Sequence, residues 1–167
     1  EETGIIANPN CSTIQMVQIL KPLDDAFDIE RVDVSTYQAT SGAGKEGMSE
    51  LVEQLQQFFA FKLDECEPKV FAHRLALNVI PHIDVFLDND YTKEEMKMVN
   101  ETQKILHKNF AVSATCVRVP VLRSHSEAIT IHFDRDVDAA AAREVLRKAP
   151  SIVVVDEPAA KKYPMPS

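Results

Sequence analysis

The sequence predicts an α+β domain, with helices on one face of a mixed, largely antiparallel sheet. Three observations carry that expectation. Helix-like and strand-like periodicities follow one another in the order α-β-α-β-α-β-β-α-β. Residues 127–133 alternate Ile129, Ile131 and Phe133 with Thr130 and His132, the pattern of a sheet with one covered face. The chain has 167 residues, 45% of them hydrophobic, which suffices for a single core.

Residues 1–10 read as a loop that closes on Asn8-Pro9-Asn10. From Cys11 to about Leu23, the residues Ile14, Val17, Ile19 and Leu20 lay out the apolar stripe of a helix. Asp28 to Ala39 carries the β-formers Ile29, Val32, Val34 and Tyr37 and reads as a strand. Thr40-Ser41-Gly42-Ala43-Gly44 makes a tight loop. A second helix follows from Lys45 to about Phe61, with Leu51, Leu55, Phe58 and Phe59 expected inward. Residues 62–70 are polar and loop-like. Leu75 to Phe86 is expected to hold a strand interrupted at Pro81. Thr92 opens a third helix through a capping box with Glu95, in which side chain and backbone satisfy each other's free donors, and it runs to about His107. Strands at Ala111–Val121 and Glu127–Phe133 flank the loop Leu122–Ser126, and neighbouring strands are expected to pair antiparallel. An alanine-rich helix covers Asp138–Lys148, and a short strand at Ser151–Asp156 completes the order.

Composition removes several function classes. The net charge of -8 argues against nucleic-acid binding, which needs a basic surface to replace counterions. No apolar stretch reaches the roughly 18 residues of a membrane span. Cys11, Cys66 and Cys116 are odd in number and lack C-x-x-C spacing, so neither a disulfide framework nor a zinc site is expected, and a reduced, cytoplasmic chain fits best. The five histidines lack the i, i+4 spacing of a metal site. The chain starts Glu1-Glu2-Thr3 without methionine and stops in the coil-like Tyr163-Pro164-Met165-Pro166-Ser167, which predicts an excised domain or a fragment.

Several residues are candidates for chemistry. Cys11 stands at a predicted helix start, where unpaired N–H groups and a partial positive charge favour thiolate over thiol. The bland alternative is a buried structural cysteine. Cys116 lies mid-strand and reads as core, and Cys66 sits among Asp64, Glu65 and Glu67, which makes it a poor nucleophile. His125, on a loop between Ser124 and Ser126, is a general acid/base candidate or a solvated loop residue, and His82 competes with it. Amides of the Ser41–Gly44 loop either meet an anion or a cofactor edge, or simply make a turn that needs positive φ. Arg118 interrupts an apolar run. It is satisfied either by a carboxylate ligand gripped in bidentate fashion or by an acid such as Glu127. Glu94 and Lys97, three apart, are at least a surface ion pair.

Together these stretches resemble the aspartate-semialdehyde dehydrogenase family. Asn8-Pro9-Asn10-Cys11-Ser12-Thr13 is similar to its nucleophile motif, and Thr36-Tyr37-Gln38-Ala39-Thr40-Ser41-Gly42-Ala43-Gly44 to its second signature. The runs Asn78–Asp84, Tyr91–Lys97 and Arg118–Glu127 resemble the family in the same order. The resemblance implies a fold like the C-terminal domain of glyceraldehyde-3-phosphate dehydrogenase. It also implies NADP-dependent, reversible reductive dephosphorylation of L-aspartyl 4-phosphate to L-aspartate 4-semialdehyde, on the route to lysine, methionine and threonine. By that likeness Cys11 forms a thioester, His125 is acid/base and Gln38 holds the acyl group. Arg118 takes the substrate carboxylate, Glu94 its amino group, Lys97 and Asn10 the phosphate. Ser41, Gly42, Ala43 and Gly44 approach the nicotinamide.

The resemblance also implies parts not found in residues 1–167. These are an N-terminal Rossmann domain, the phosphate-binding arginine it carries, and a C-terminal helix. The whole chain would then be one catalytic and dimerisation domain, inactive alone, with a homodimer as its assembly. Two alternatives are an N-acetyl-γ-glutamyl-phosphate reductase, against which Asn10-Cys11-Ser12-Thr13 argues, and a module that only self-associates.

Overall fold

The computed structural model describes residues 4–166, so Glu1-Glu2-Thr3 and Ser167 of the expected terminal loops lie outside the described residues. Four helices and three strands form: α1 (Cys11–Phe27), β1 (Ile29–Gln38), α2 (Gly44–Phe59), α3 (Lys93–Leu106), β2 (Ala111–Arg118), β3 (Ser126–Phe133) and α4 (Ala139–Lys148). The sheet is ordered β2-β1-β3. It is mixed, as expected, but β2 and β3 do not pair with each other. Both flank β1, β2 in parallel and β3 antiparallel.

The alternation of the strands sorts the two faces. Val32 and Val34 of β1 and Ala114 and Cys116 of β2 pack with Ile129, Ile131 and Phe133 of β3. Met16 and Leu20 of α1 and Met98 and Leu106 of α3 complete that core, so the helices cover one face. The other face carries Asp33, Ser35, Tyr37, Thr115, Ala128, Thr130 and His132, all at least partly exposed. The apolar side chains on this face are Tyr37, Val117 and Ala128, set among hydroxyls and charges, because β-branched Thr fills strand positions without being apolar.

Several boundaries depart from the sequence pattern. Helix α1 continues through Pro22 to Phe27, since buried Leu23 and Asp24 hold its last turn. Leu75–Phe86 forms only isolated bridges, Ile80 with Arg118 and Phe86 with Thr92. Leu77 and Asp84 have positive φ there, which no strand accommodates. Phe58 and Phe59 point outward, and Gln54 is buried in their stead. Its Oε1 accepts the amides of Leu75 and Ala76 at 2.8 and 2.9 Å. Ser151–Asp156 finds no strand partner. The expected capping box is present, with Thr92 Oγ1 accepting Glu95 N–H and Glu95 Oε2 accepting Thr92 N–H.

Candidate active site

One end of the sheet gathers the chemistry. Parallel pairing places the last residues of β1 and β2, Gln38 and Arg118, side by side. Antiparallel pairing brings the start of β3 to the same end, Ser126 opposite Tyr37, with His125 immediately before it. The first turns of α1 and α3 meet there as well.

Cys11 is the first residue of α1 and is exposed. Asn10 caps the helix, its Oδ1 accepting the amides of Ser12 at 3.0 Å and Thr13 at 3.1 Å. The side-chain NH₂ of Asn10 donates to Glu94 Oε1 at 2.8 Å, and Gln38 Nε2 donates to the same oxygen at 3.2 Å. Lys97 Nζ reaches Glu94 Oε2 at 3.2 Å and Asp84 Oδ2 at 3.0 Å. Glu94, buried at the start of α3, thus joins Asn10, Gln38 and Lys97 in one network.

Arg118 is 6% exposed. Its Nη1 donates to Ala39 C=O at 2.7 Å, and its guanidinium lies over the Phe71 ring. Among the described residues it has no salt-bridge partner, and Glu127 is not one. Burial lowers its affinity for a proton, while Glu94 and Cys11 act in the opposite sense through their charge. A cleft of about 400 Å³ opens on it between Phe71, His82 and Asp84. His82 faces this cleft and stacks on Phe86. A larger cavity, about 700 Å³, lies between α1 and α4 and contains none of these side chains.

His125 Nδ1 accepts the Ala39 N–H at 3.0 Å. The Ala39 peptide therefore holds both His125 and Arg118 from the backbone, a role that no side-chain pattern announces. With Nδ1 accepting, the neutral ring carries its proton on Nε2. Burial, with help from the Arg118 charge and against Glu94, keeps the imidazole below its ordinary range, so the ring is neutral at neutral pH.

The Thr40–Ala43 segment is one 3₁₀ turn leading into α2. The amides of Thr40 and Ser41 donate to the Val121 and Leu122 carbonyls, and that of Gly42 to Ala39. Gly44 has φ 75°, the positive value the turn reading asks for. A Cβ on Gly42 would stand 2.9 Å from Arg118 Nη1 and 3.2 Å from His125 Nε2. Both groups therefore pack against the bare Cα of Gly42, and any side chain there would have to displace them.

The other candidates fall outside. Cys116 is fully buried, and burial pushes its thiol up to about 12. Cys66 is half-buried among Glu46, Glu50, Glu53 and Glu67. His73, His107 and His132 are exposed. No cluster of three metal-capable side chains occurs among the described residues, and no helix there is long and apolar enough to cross a membrane. Two site residues escape the sequence reading: Glu101, whose Oε2 accepts the Asn10 amide at 2.7 Å, and Asp84, which holds Lys97. For Glu101 the available signal is its spacing of seven from Glu94, which puts both on one helix face.

Comparison with known proteins gives a consistent neighbourhood. Residues 20–167 match the family described as semialdehyde dehydrogenase, dimerisation domain. The aspartate-semialdehyde dehydrogenase of Campylobacter jejuni is 75% identical over 166 residues, which are 99% of this chain and 48% of that protein. The Bacillus subtilis protein of the same name is 48% identical over 177 residues, covering 100% of this chain and 50% of that protein. Among solved structures, aspartate semialdehyde dehydrogenase II of Vibrio cholerae, described as complexed with ASA, has TM-score 0.84 at 48% identity, covering 87% of this chain and 43% of that one. The Candida albicans enzyme, described with NADP, has TM-score 0.59 at 28% identity, covering 86% and 35%. The chain spans about half the length of the curated relatives it matches.

Proposed function

The chain belongs to the semialdehyde dehydrogenase dimerisation-domain family, and from that premise we propose that it is the catalytic and self-associating half of an aspartate-semialdehyde dehydrogenase. The reaction is reductive dephosphorylation of L-aspartyl 4-phosphate to L-aspartate 4-semialdehyde, a step of lysine, methionine and threonine biosynthesis in the cytoplasm. It runs together with a nucleotide-binding domain, and residues 1–167 alone are inactive or nearly so.

The observation that carries this reading is Arg118. A buried guanidinium without an acidic partner is expensive unless a ligand supplies the carboxylate. It stands beside Cys11, a thiol at a capped helix N-terminus, where a nucleophile is favoured. In the proposed reaction the Cys11 sulfur attacks the acyl carbon, the carbon–oxygen bond to phosphate breaks, and a thioester remains. Arg118 grips the substrate α-carboxylate and Glu94 meets its amino group. Asn10 and Lys97 approach the phosphate, and Gln38 steadies the acyl group. His125 is the acid/base group, and its Nε2–H is the side presented to oxygen at the acyl carbon. NADPH, held mainly by the nucleotide-binding domain, would supply the hydride that replaces sulfur at the acyl carbon, so that the carbon–sulfur bond breaks and the Cys11 thiolate is released. Ser41, Gly42, Ala43 and Gly44 would border its nicotinamide, on the turn that packs against Arg118 and His125.

Limiting iodoacetamide followed by peptide mapping tests the site on this chain. Cys11 should label before Cys66 and Cys116, and L-aspartate 4-semialdehyde should protect it. Arg118→Lys should raise the half-protecting concentration about ten- to a hundredfold, since a lysine cannot reproduce two parallel charge-assisted bonds. Unchanged protection in that variant contradicts the carboxylate role.

A further inference from the structure

Helix α1 begins without a local acid at the position where a capping box needs one. Its cap is Asn10, and the residue three later is Thr13, whose short side chain donates back to the cap's own Oδ1. The Asn10 amide is nonetheless satisfied, by Glu101 of α3 at 2.7 Å. Glu101 lies seven residues after Glu94, two turns along the same helix face. The two carboxylates grip Asn10 at separate points, Glu94 on the side-chain NH₂ and Glu101 on the backbone N–H. Asn10 Oδ1 is thereby aimed at the amides of Ser12 and Thr13. Cys11 is the residue between the gripped amide and the capped turn, so its backbone has little freedom.

We propose that Glu101 is a positioning residue for Cys11, completing from α3 the capping box that α1 lacks. The Glu101 carboxylate makes no contact with substrate in this role. It fixes the direction in which α1 presents its first residue, and it ties the nucleophile to the helix that carries Glu94 and Lys97. The role rests on the reading of Cys11 as nucleophile, and the test separates the two.

Glu101→Gln keeps an oxygen acceptor, whereas Glu101→Met keeps the bulk and has none. Both remove the charge, so their difference reads the hydrogen bond alone. The rate of Cys11 alkylation by iodoacetamide at neutral pH is measured by peptide mapping, alongside exchange of the Asn10 amide and of the Val32 and Val34 amides in the core. The Gln variant should retain Asn10 protection and react within about twofold of the parent chain. The Met variant should lose Asn10 protection and alkylate Cys11 about five- to tenfold more slowly than Gln, the size of a lost cap interaction, with Val32 and Val34 unchanged. If Glu101→Met does not fold, Glu101→Ala takes its place in the comparison. Equal alkylation and equal Asn10 protection in the Gln and acceptor-free variants overturn the positioning role. Preferential labelling of Cys66 in the parent chain overturns the nucleophile reading instead.

Discussion

At the scale of single residues, the site is built from groups that are costly on their own. Among the described residues, Arg118 is buried without an acid, Glu94 is buried but bonded on both oxygens, and half-buried Glu127 has its Oε1 buried and unpartnered. Burial pushes Glu127 up to about 7, with contact from Gln15 working the other way. A carboxyl raised in the folded state binds its proton more tightly there than in the unfolded chain. Its contribution is therefore fully present at pH below the unfolded value near 4.5 and is lost as pH rises towards 7. Glu127→Gln removes that loss. In urea titrations at fixed protein concentration, the variant should gain on the order of 2 kcal/mol over the parent chain at pH 8 relative to pH 5. A difference independent of pH contradicts the buried charge. Sequence alone placed Cys11, Gln38, Glu94, Arg118 and His125 by likeness. It could not reveal that the Ala39 backbone holds His125 and Arg118 or that Glu101 holds the Asn10 amide, because those contacts run through main-chain atoms of residues far apart in the chain.

At the scale of elements, what was legible is local and what was not is tertiary. The Thr92 capping box, the start of α1 at Cys11 and helix α4 follow from neighbours within four residues. The Leu75–Phe86 segment has strand-like composition, yet Gln54 and Glu50 of α2 take up its flanking amides and Ile80 bridges Arg118 only once. Pairing of β1 with both neighbours is equally invisible locally, because alternation gives a face and not a partner. Helix α2 also makes a sharp prediction. Gly47 is buried at the end of its first turn, where a Cβ would meet Ala43 Cβ at 2.7 Å and the Thr40 carbonyl at 3.0 Å. Glycine to alanine within a helix normally stabilises by about 1 kcal/mol. Here Gly47→Ala should instead destabilise by about 1–3 kcal/mol, as overpacking does. It should also disturb the turn that borders His125. A raised midpoint of thermal unfolding contradicts the packing of α2 on that turn.

At the scale of the molecule, the uncovered sheet face and the family's dimerisation description point to a second copy of this chain as its partner. That face is polar, with Asp33 paired within the chain to Arg31 and His132. Sedimentation velocity at micromolar concentration should show a dimer, and a monomer at every concentration contradicts the self-association. NADPH should bind weakly or not at all in a fluorescence titration, since its main site is proposed to lie on a separate nucleotide-binding domain. Covalent chemistry at Cys11 is tested by trapping the acyl group on the chain. The chain is mixed with L-aspartyl 4-phosphate generated in situ, quenched in acid and mapped by peptide mass. An aspartyl adduct should appear on the peptide containing Cys11, be released by hydroxylamine as thioesters are, and be absent from Cys11→Ser. An adduct on Cys66, or one that persists unchanged in Cys11→Ser, would contradict it.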